Sequence, residues 1–235
     1  MSLSKRAAPW LISALQQAVP IILGYLPIGF AYGVLAQKTG LSGVNTLAMS
    51  LLVFAGSAQL IAVGLFAAGT GPASIILTTF IVNLRHLLMS AALAPYLRGW
   101  RSCLQALFAF QLTDETFAIH ASRFPVKSPV KPEIFSVNII AQSAWLAGTF
   151  LGLIASSLIS DITPIGLDYA LPAMFIVLLV WQVTSIVRFC AAVLGGLFSI
   201  IFFLTGWEQF NVILATVLAA TCGLGVDAWI RRRSS

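Results

Sequence analysis

Residues 39–84 read TGLSGVNTLAMSLLVFAGSAQLIAVGLFAAGTGPASIILTTFIVNL, and no Lys, Arg, Asp or Glu occurs among them. The stretch before it, between Arg6 and Lys38, is equally free of charge. A helix needs about 20 apolar residues to cross the hydrocarbon core of a bilayer, and both stretches exceed that length. The sequence therefore predicts membrane-spanning helices here, and not the helices of a soluble core.

The composition of the whole chain agrees with this prediction. Of the 235 residues, 59% are hydrophobic and 9% are charged, and the mean hydropathy is +0.98. No soluble domain of this size needs so much apolar surface. The 13 basic residues outnumber the 7 acidic ones, and the basic residues lie mostly in short flanking clusters, which is typical of topology signals and argues against nucleic-acid binding. The first apolar stretch is too long for a signal-peptide core, so we expect the chain to stay in the membrane.

The pattern predicts an all-α, polytopic membrane bundle that forms a single transporter domain over residues 1–235. Eight apolar segments are candidates for spanning helices. They lie near residues 11–36, 45–68, 73–96, 102–121, 135–158, 169–187, 190–206 and 209–229. The fourth segment is short and polar, so a seven-span arrangement stays open. The chain would divide into halves, 1–122 and 134–235, joined by the basic, Pro-rich loop 123–133.

The basic residues of the connections predict the orientation. With eight spans and a cytoplasmic N-terminus, most of them fall on the cytoplasmic side, as the positive-inside rule requires. They are Lys5, Arg6, Arg123, Lys127, Lys131, Arg188, Arg231, Arg232 and Arg233. Arg98 and Arg101 fall on the opposite side, against the rule. We therefore expect a multi-pass protein with its N-terminus in the cytoplasm.

The sequence contains a faint internal repeat. Residues 29–59 align with residues 148–182, which sets Gly29 opposite Gly148, and each copy carries a Gly-Leu-Ser or Gly-Leu-Asp followed by an Ala-Met pair. Paired repeats are common in secondary transporters, although apolar helices also match one another by chance. With four spans in each half, the two copies would be parallel.

Two spans contain residues that bend or tighten a helix. Pro27 and Gly29 in the first span predict either a packing groove with a kink or a substrate cavity lined by freed backbone groups. In the second span, Gly56, Ser57 and Gln59 predict a helix break at mid-membrane depth. The half-helix after such a break offers N–H groups and a positive terminus to a substrate carboxylate. The alternative is that Ser57 bonds to its own helix and Gln59 links two helices.

The third and fourth spans carry charged residues inside apolar stretches. Arg85 lies between Asn83 and His86 in the third span, and Asp114 and Glu115 are adjacent in the fourth. A charge at the bilayer centre costs roughly 2.5–3.5 kcal/mol on insertion scales, so such residues usually mark a substrate or ion path. We expect Arg85 to pair with Asp114 or Glu115, which lowers the cost of both charges. The alternative is that this pair only holds the two spans in register.

Four motifs follow one another along the chain. They are PIGFAYG at 27–33 with GLS at 40–42, FAGSAQ at 54–59, NLRH at 83–86 and LTDETFA at 112–118, and LPAMF at 171–175 is a weaker fifth. In this order they resemble the AzlC-type branched-chain amino acid permeases over nearly the whole chain. The resemblance implies an amino acid exporter of the bacterial inner membrane that works with a small, separately encoded membrane subunit of the AzlD type.

An amino acid with an aliphatic tail needs an anion site, a cation site and an apolar pocket. We expect Gly56, Ser57 and Gln59 to hold the α-carboxylate. The α-amino group would bind to Asn83 and to one carboxylate of the fourth span. Aromatic or aliphatic neighbours would surround the tail. The resemblance implies that the substrate is valine, leucine or isoleucine.

Proton coupling would use His86 together with whichever of Asp114 and Glu115 does not bind the substrate. We expect His120, close to the membrane edge, to lie at the interface. A channel, or a carrier for another small metabolite, remains an alternative. An intramembrane enzyme with a dyad of Ser57 and His86 is less favoured, because the sequence has no nucleophile elbow, zinc motif or phosphate-binding glycine loop. We therefore expect no catalytic residue, metal or cofactor.

Overall fold

The structure is a computed structural model that describes residues 9–126, 128, 130–159, 185–206 and 211–234, with isolated positions between 166 and 183. These residues form helices and short connections, and no strand occurs among them. Four helices are long and apolar enough to cross a membrane, and shorter apolar helices accompany them. The prediction of an all-α, polytopic membrane bundle is confirmed. The chain forms two compact units, Met1–Leu171 and Pro172–Ser235.

The first unit contains the helices α1 to α7. They are α1 (Pro9–Lys38), α2 (Gly43–Leu52), α3 (Gly56–Ala67), α4 (Pro72–Leu93), α5 (Ser102–Phe110), α6 (Asp114–Arg123) and α7 (Lys131–Ala155). A 3-10 turn, Ala94–Leu97, continues the span that begins with α4. Pro72 is the first residue of α4, where a backbone N–H would have no hydrogen-bond partner within the helix. Gly40, with φ of 86°, follows the end of α1 and turns the chain toward α2.

The second unit contains α8 (Ile186–Leu204) and α9 (Asn211–Ser234). These helices match the predicted spans at 190–206 and 209–229, and small residues let them pack against each other. A carbon added to Gly223 would lie 3.2 Å from the Ala191 side chain. The predicted span at 169–187 lies mostly outside the described residues.

Two predicted spans are interrupted near their middle. The span predicted at 45–68 consists of α2 and α3, separated by residues 53–55, which we call the first interruption. The span predicted at 102–121 consists of α5 and α6, separated by residues 111–113, the second interruption. The break predicted in the second span is therefore confirmed. The break in the fourth was not predicted, and it explains why that segment is short and polar.

The contact between α1 and α7 is the most extensive in the first unit. Glycines let the two backbones touch. A carbon added to Gly33 would lie 2.3 Å from the Thr149 carbonyl oxygen, and one added to Gly152 would lie 2.1 Å from that of Phe30. Any side chain at these positions would push the helices apart, so the small residues are what permits this packing.

The α1–α7 contact is symmetric: each helix places a glycine against the carbonyl oxygen of the corresponding residue of the other. A carbon on Gly29 would lie 2.8 Å from the carbonyl oxygen of Trp145, three residues before Gly148. One on Gly148 would lie 2.6 Å from that of Leu26, three residues before Gly29. The contacts advance in the same direction along both helices, so α1 and α7 are parallel. This geometry favours a parallel repeat. Most of the second copy, residues 148–182, lies outside the described residues.

Candidate functional site

Arg85 joins the two interrupted spans. It lies near the centre of the span at 72–97, Ser57 is the second residue of α3, and Asp114 is the first residue of α6. The Arg85 guanidinium donates a hydrogen bond to the Ser57 hydroxyl. It also forms a salt bridge with Asp114, with 2.8 Å between Nη1 and Oδ2. One side chain therefore holds the starts of both half-helices.

The expected pairing of Arg85 is confirmed, and its carboxylate partner is Asp114. The two side chains keep 27% and 18% of their surface exposed, so the pair is mostly buried. Each charge lowers the cost of burying the other, as a mid-membrane position requires. Because the pair is not fully enclosed, a small ligand has a side from which to approach it.

A capping box starts α6 in the middle of the span. The Thr113 hydroxyl accepts a hydrogen bond from the backbone N–H of Thr116. The Thr116 hydroxyl accepts one in return from the backbone N–H of Thr113, at 2.8 Å. These bonds satisfy N–H groups that the first turn would leave unpaired. The carboxylates of Asp114 and Glu115 then suit the positive end of the helix.

Glu115 faces α1 and bonds to Tyr25 there. The Tyr25 phenol oxygen lies 2.5 Å from Glu115 Oε2 and 2.7 Å from the Thr113 hydroxyl. A phenol has one hydrogen, so one of its two oxygen partners must donate. When Glu115 is ionised, Thr113 donates to the phenol and the phenol donates to Glu115. When Glu115 is protonated, both bonds reverse, and the Arg85 pair is untouched.

Aromatic rings pack around the first interruption. Phe54 has φ of 45°, a left-handed conformation that few aromatic residues adopt. A carbon added to Gly56 would lie 2.7 Å from the Trp145 ring. Tyr25 contacts both rings, with centroids 6.3 Å from Phe54 and 5.5 Å from Trp145. Glycine is therefore required at the start of α3, because the Trp145 ring fills the space that a side chain would need.

Gln59 links helices. It is fully buried, and its amide donates to the Ser50 hydroxyl at 3.1 Å. Ser50 in turn bonds to the Thr149 hydroxyl on α7 at 2.9 Å. These bonds tie α2, α3 and α7 together. Gln59 therefore has the helix-linking role that was the alternative to substrate binding.

Gln142 on α7 is a residue of the site that the sequence did not reveal. Its amide nitrogen donates to the Leu51 carbonyl oxygen, and its amide oxygen accepts from Gln111, both at 3.0 Å. Leu51 lies one residue before the end of α2, the half-helix that precedes the first interruption, and Gln111 is the first residue of the second interruption. Gln142 thus joins the interruptions from α7, as Arg85 does from α4. An isolated Gln in an apolar helix has many potential partners, so no local signal identified this one.

Several buried polar atoms on these elements have no hydrogen-bond partner. They are Gln59 Oε1, Asn83 Oδ1, Arg85 Nε, Gln111 Oε1 and Trp145 Nε1. Buried polar groups in folded proteins are normally paired, so a set of unpaired ones is informative. It contains both donors and acceptors. Such a set suits a ligand that carries a positive and a negative group.

Arg85, Ser57 and Asp114 form what we call the Arg85 cluster. Two predicted site residues lie apart from this cluster, and a third lies beside it. α1 is continuous through Pro27, which is exposed, and Gly29 packs against α7. Gly29 therefore lies in the packing groove that was the alternative to a cavity, whereas Pro27 lies on the exposed surface of α1. His86 is half-buried next to Arg85 on α4.

The family model described as "AzlC protein" matches residues 20–159. The chain is 30% identical to the "Branched-chain amino acid transport protein AzlC" of Bacillus subtilis strain 168, over 98% of this chain and 89% of that protein. No solved structure matches the chain.

Two further relatives are named only as membrane proteins. An "Uncharacterized membrane protein" of Archaeoglobus fulgidus is 33% identical over 92% of this chain and 94% of its own length. The "Inner membrane protein YgaZ" of Escherichia coli K12 is 27% identical over 88% of this chain and 85% of its own length. The similarity thus extends through both units and includes every residue of the Arg85 cluster in the matched range 20–159.

Proposed function

The chain belongs to the AzlC protein family, and on that premise we propose that it is a secondary transporter that exports branched-chain amino acids. The observation that carries the proposal is the position of Arg85, which bonds to the starts of two half-helices near the centre of their spans. Interrupted helices near the bilayer midplane are a common construction of substrate sites in carriers. Ionisable side chains inside the membrane are expensive and usually belong to such a site.

The ion pair suits a zwitterionic substrate. The α-carboxylate of an amino acid would bind to Arg85 and Ser57, at the positive end of α3 with the N–H of Gly56. The α-ammonium group would bind to Asp114 and to the unpaired Asn83 carbonyl oxygen. The substrate would thereby replace one internal ion pair with two, so that neither protein charge is left uncompensated. A ligand with only one of the two charges would leave one side chain unpaired.

The apolar tail would lie against the aromatic rings of the first interruption. Phe54 and Trp145 are 2% and 3% exposed, and Tyr25 packs against both. Burying the side chain of leucine or valine contributes about 1.5–3 kcal/mol, which offsets part of the cost of opening the site. This arrangement favours aliphatic side chains over polar ones.

Proton coupling would use Glu115, with His86 as the other titratable group next to the cluster. Glu115 is bonded to the neutral phenol of Tyr25, so it gains or loses a proton without breaking the Arg85–Asp114 pair. Protonation of this carboxylate would make α6 less negative and weaken its hold on the substrate ammonium group. Inward movement of a proton would then drive outward movement of the amino acid.

Transport, and not catalysis, is the function that the bonds of Ser57 favour. Its hydroxyl accepts from Arg85, whose guanidinium stays protonated and cannot act as a general base. The family resemblance supports a small AzlD-type membrane subunit as partner and the bacterial inner membrane as location. The positive-inside rule supports a cytoplasmic N-terminus.

Counterflow in proteoliposomes tests the proposal. The protein would be reconstituted with and without the co-expressed small subunit, and exchange of labelled leucine, valine and isoleucine would be measured. We expect saturable exchange that Arg85→Gln abolishes. Arg98→Gln, the same change in an exposed residue of a connection, is the matched control and should exchange normally. Normal exchange in Arg85→Gln would reject the site. No exchange by the intact, assembled protein would reject the substrate class.

A further inference from the structure

A second group of buried polar side chains lies at the opposite end of α6 from Asp114. Glu133, on the first turn of α7, is 6% exposed. Its Oε1 atom accepts hydrogen bonds from Ser13 at 2.8 Å, from Gln17 at 2.9 Å and from Arg123 at 2.8 Å. Neither the transport site nor the packing of α1 against α7 requires a carboxylate at this position.

A small cavity lies beside Glu133. It has a volume of about 20 Å³, enough for about one water molecule. Its polar lining consists of Gln17, His120, Arg123, Ser128 and Glu133. The charged groups that face it are therefore Arg123 from α6 and Glu133 from α7, which compensate each other, while α1 contributes an uncharged amide. A water molecule in this cavity would meet several donors and acceptors.

His120 extends this polar group into the protein. The sequence predicted it at the interface, but the structure buries it to 2% exposure. Its Nε2 atom lies 2.8 Å from Asn138 Oδ1. An amide oxygen only accepts, so Nε2 carries the hydrogen and Nδ1 has a free lone pair. The Asn138 amide nitrogen is buried without a partner. The ring is thus held in place by one nitrogen, with the other available to a proton.

The buried face of α6 connects His120 to Glu115. Thr116 is fully buried one helical turn before His120, and residues four apart lie on the same face. Its hydroxyl lies 3.2 Å from that of Thr113. Thr113 is bonded to the Tyr25 phenol, which bonds to Glu115. Hydrogen bonds therefore link Thr116 to Glu115, and His120 lies one helical turn further along the same face, beside the cavity.

From this placement we infer that the buried face of α6 is a proton path, in which His120 relays protons between the cavity beside Glu133 and the carboxylate of Glu115. The inference rests on the proposed function, because it supplies the route of the coupled proton. His120 takes a proton from water at Nδ1 and becomes an imidazolium. It then releases that proton toward Thr116, the hydroxyls and the phenol shift their hydrogens, and Glu115 becomes a carboxylic acid. The ring returns to its neutral form.

The test separates proton movement from substrate exchange. Counterflow needs no net proton movement, whereas proton flux driven by a leucine gradient, followed with a pH dye inside the vesicles, does. His120→Gln keeps a donor for Asn138 but cannot carry a proton. We expect counterflow within about twofold of the unaltered protein, while the leucine-driven proton flux falls roughly tenfold or more, as for loss of a positioned proton-transfer group. Ser122→Ala, on the exposed side of α6, should retain both activities.

A second variant guards against a failure of His120→Gln to fold. Glu133→Gln keeps an oxygen for Ser13, Gln17 and Arg123 but removes the charge beside the ring, and we expect the same separation of the two activities. Three results would overturn the path. The first is normal proton flux in both variants, and the second is an equal loss of proton flux and counterflow in both. The third is counterflow without proton flux in the unaltered protein. Absence of counterflow from the unaltered protein would instead reject the proposed function.

Discussion

The two interruptions break their spans in different ways. The first, at residues 53–55, has no charged side chain and is fixed by packing: Trp145 fills the space beside Gly56, and Phe54 takes a left-handed backbone conformation. The second, at residues 111–113, is fixed by hydrogen bonds and charge, because a capping box starts α6 and two carboxylates follow it. The start of α3 therefore offers a glycine and backbone N–H groups, whereas the start of α6 offers two carboxylates.

Arg85 is what makes the two interruptions one site. It bonds to Ser57 after the first and to Asp114 after the second, whereas Gln142 joins Leu51, before the first interruption, to Gln111, the first residue of the second. If the account is correct, disturbing the charged connection should abolish transport. Disturbing the uncharged one, or either helix start by itself, should have smaller effects.

Arg85→Gln should give the largest effect. It leaves Asp114 buried without its counterion, which should cost about 3 kcal/mol of stability, and it should abolish leucine counterflow. Thermal unfolding in detergent and counterflow measure the two results. The double variant Arg85→Gln with Asp114→Asn removes the unpaired charge and should recover most of the stability without recovering counterflow. If the double variant transports leucine, the pair only holds the spans in register.

Gly56→Leu should come next, because its effect is confined to the first interruption. The added side chain collides with the Trp145 ring, and overpacking of this kind costs about 1–3 kcal/mol. We expect a large loss of apparent leucine affinity in counterflow. Gly64→Leu changes an exposed glycine of the same helix with no atom within 4 Å, so it should be tolerated. Full affinity in Gly56→Leu would mean that the start of α3 does not bind the substrate.

Gln142→Leu should weaken the protein without abolishing transport. It removes both bonds that join Leu51 and Gln111, which should cost about 1–2 kcal/mol. Unfolding temperature should therefore fall while counterflow continues at a reduced rate. Ser143→Ala, at the adjacent exposed position, provides the baseline. Complete loss of counterflow in a folded Gln142→Leu protein would mean that transport requires Gln142 as much as it requires Arg85.

Two helix caps provide the smallest and most closely matched comparison. Ser42 caps α2 at the edge of its span, and Thr113 caps α6 at the centre. Ser42→Ala should cost about 1 kcal/mol in unfolding experiments, and Thr113→Val should cost more, because it also removes the buried hydrogen bond to the Tyr25 phenol. Only Thr113→Val should slow counterflow, because fraying of the first turn of α6 would displace Asp114. Equal slowing in both variants would show that cap loss acts through general stability.

Features that depend on local composition were predictable from the sequence. Uncharged stretches fixed the membrane class, and small polar residues at Gly56 and Ser57 indicated the first interruption. The opposite charges of Arg85 and of the adjacent Asp114 and Glu115 indicated an ion pair, because each charge alone would be too expensive inside a membrane, and the structure identifies Asp114 as the partner. The family resemblance was carried by the same segments and is confirmed.

Features that depend on distant contacts were not predictable. The bonds of Gln142 and of Glu133 connect residues far apart in the chain, and a single amide or carboxylate gives no sign of its partner. The second interruption has a local signal, because Thr113 is a helix-capping residue and two carboxylates follow it. This signal was not used, because residues 102–121 were predicted as one continuous span. Gly29 was ambiguous because a small residue serves helix packing as well as a cavity.

Competition for leucine counterflow tests the central claim most directly, namely that a zwitterion inserts into the Arg85–Asp114 pair. Unlabelled leucine would be compared with isoamylamine, which lacks the carboxylate, and with 4-methylpentanoate, which lacks the amino group. We expect leucine to compete and neither analogue to do so, because each analogue would leave one charge of the pair uncompensated. Competition by either analogue as strong as that by leucine would contradict it.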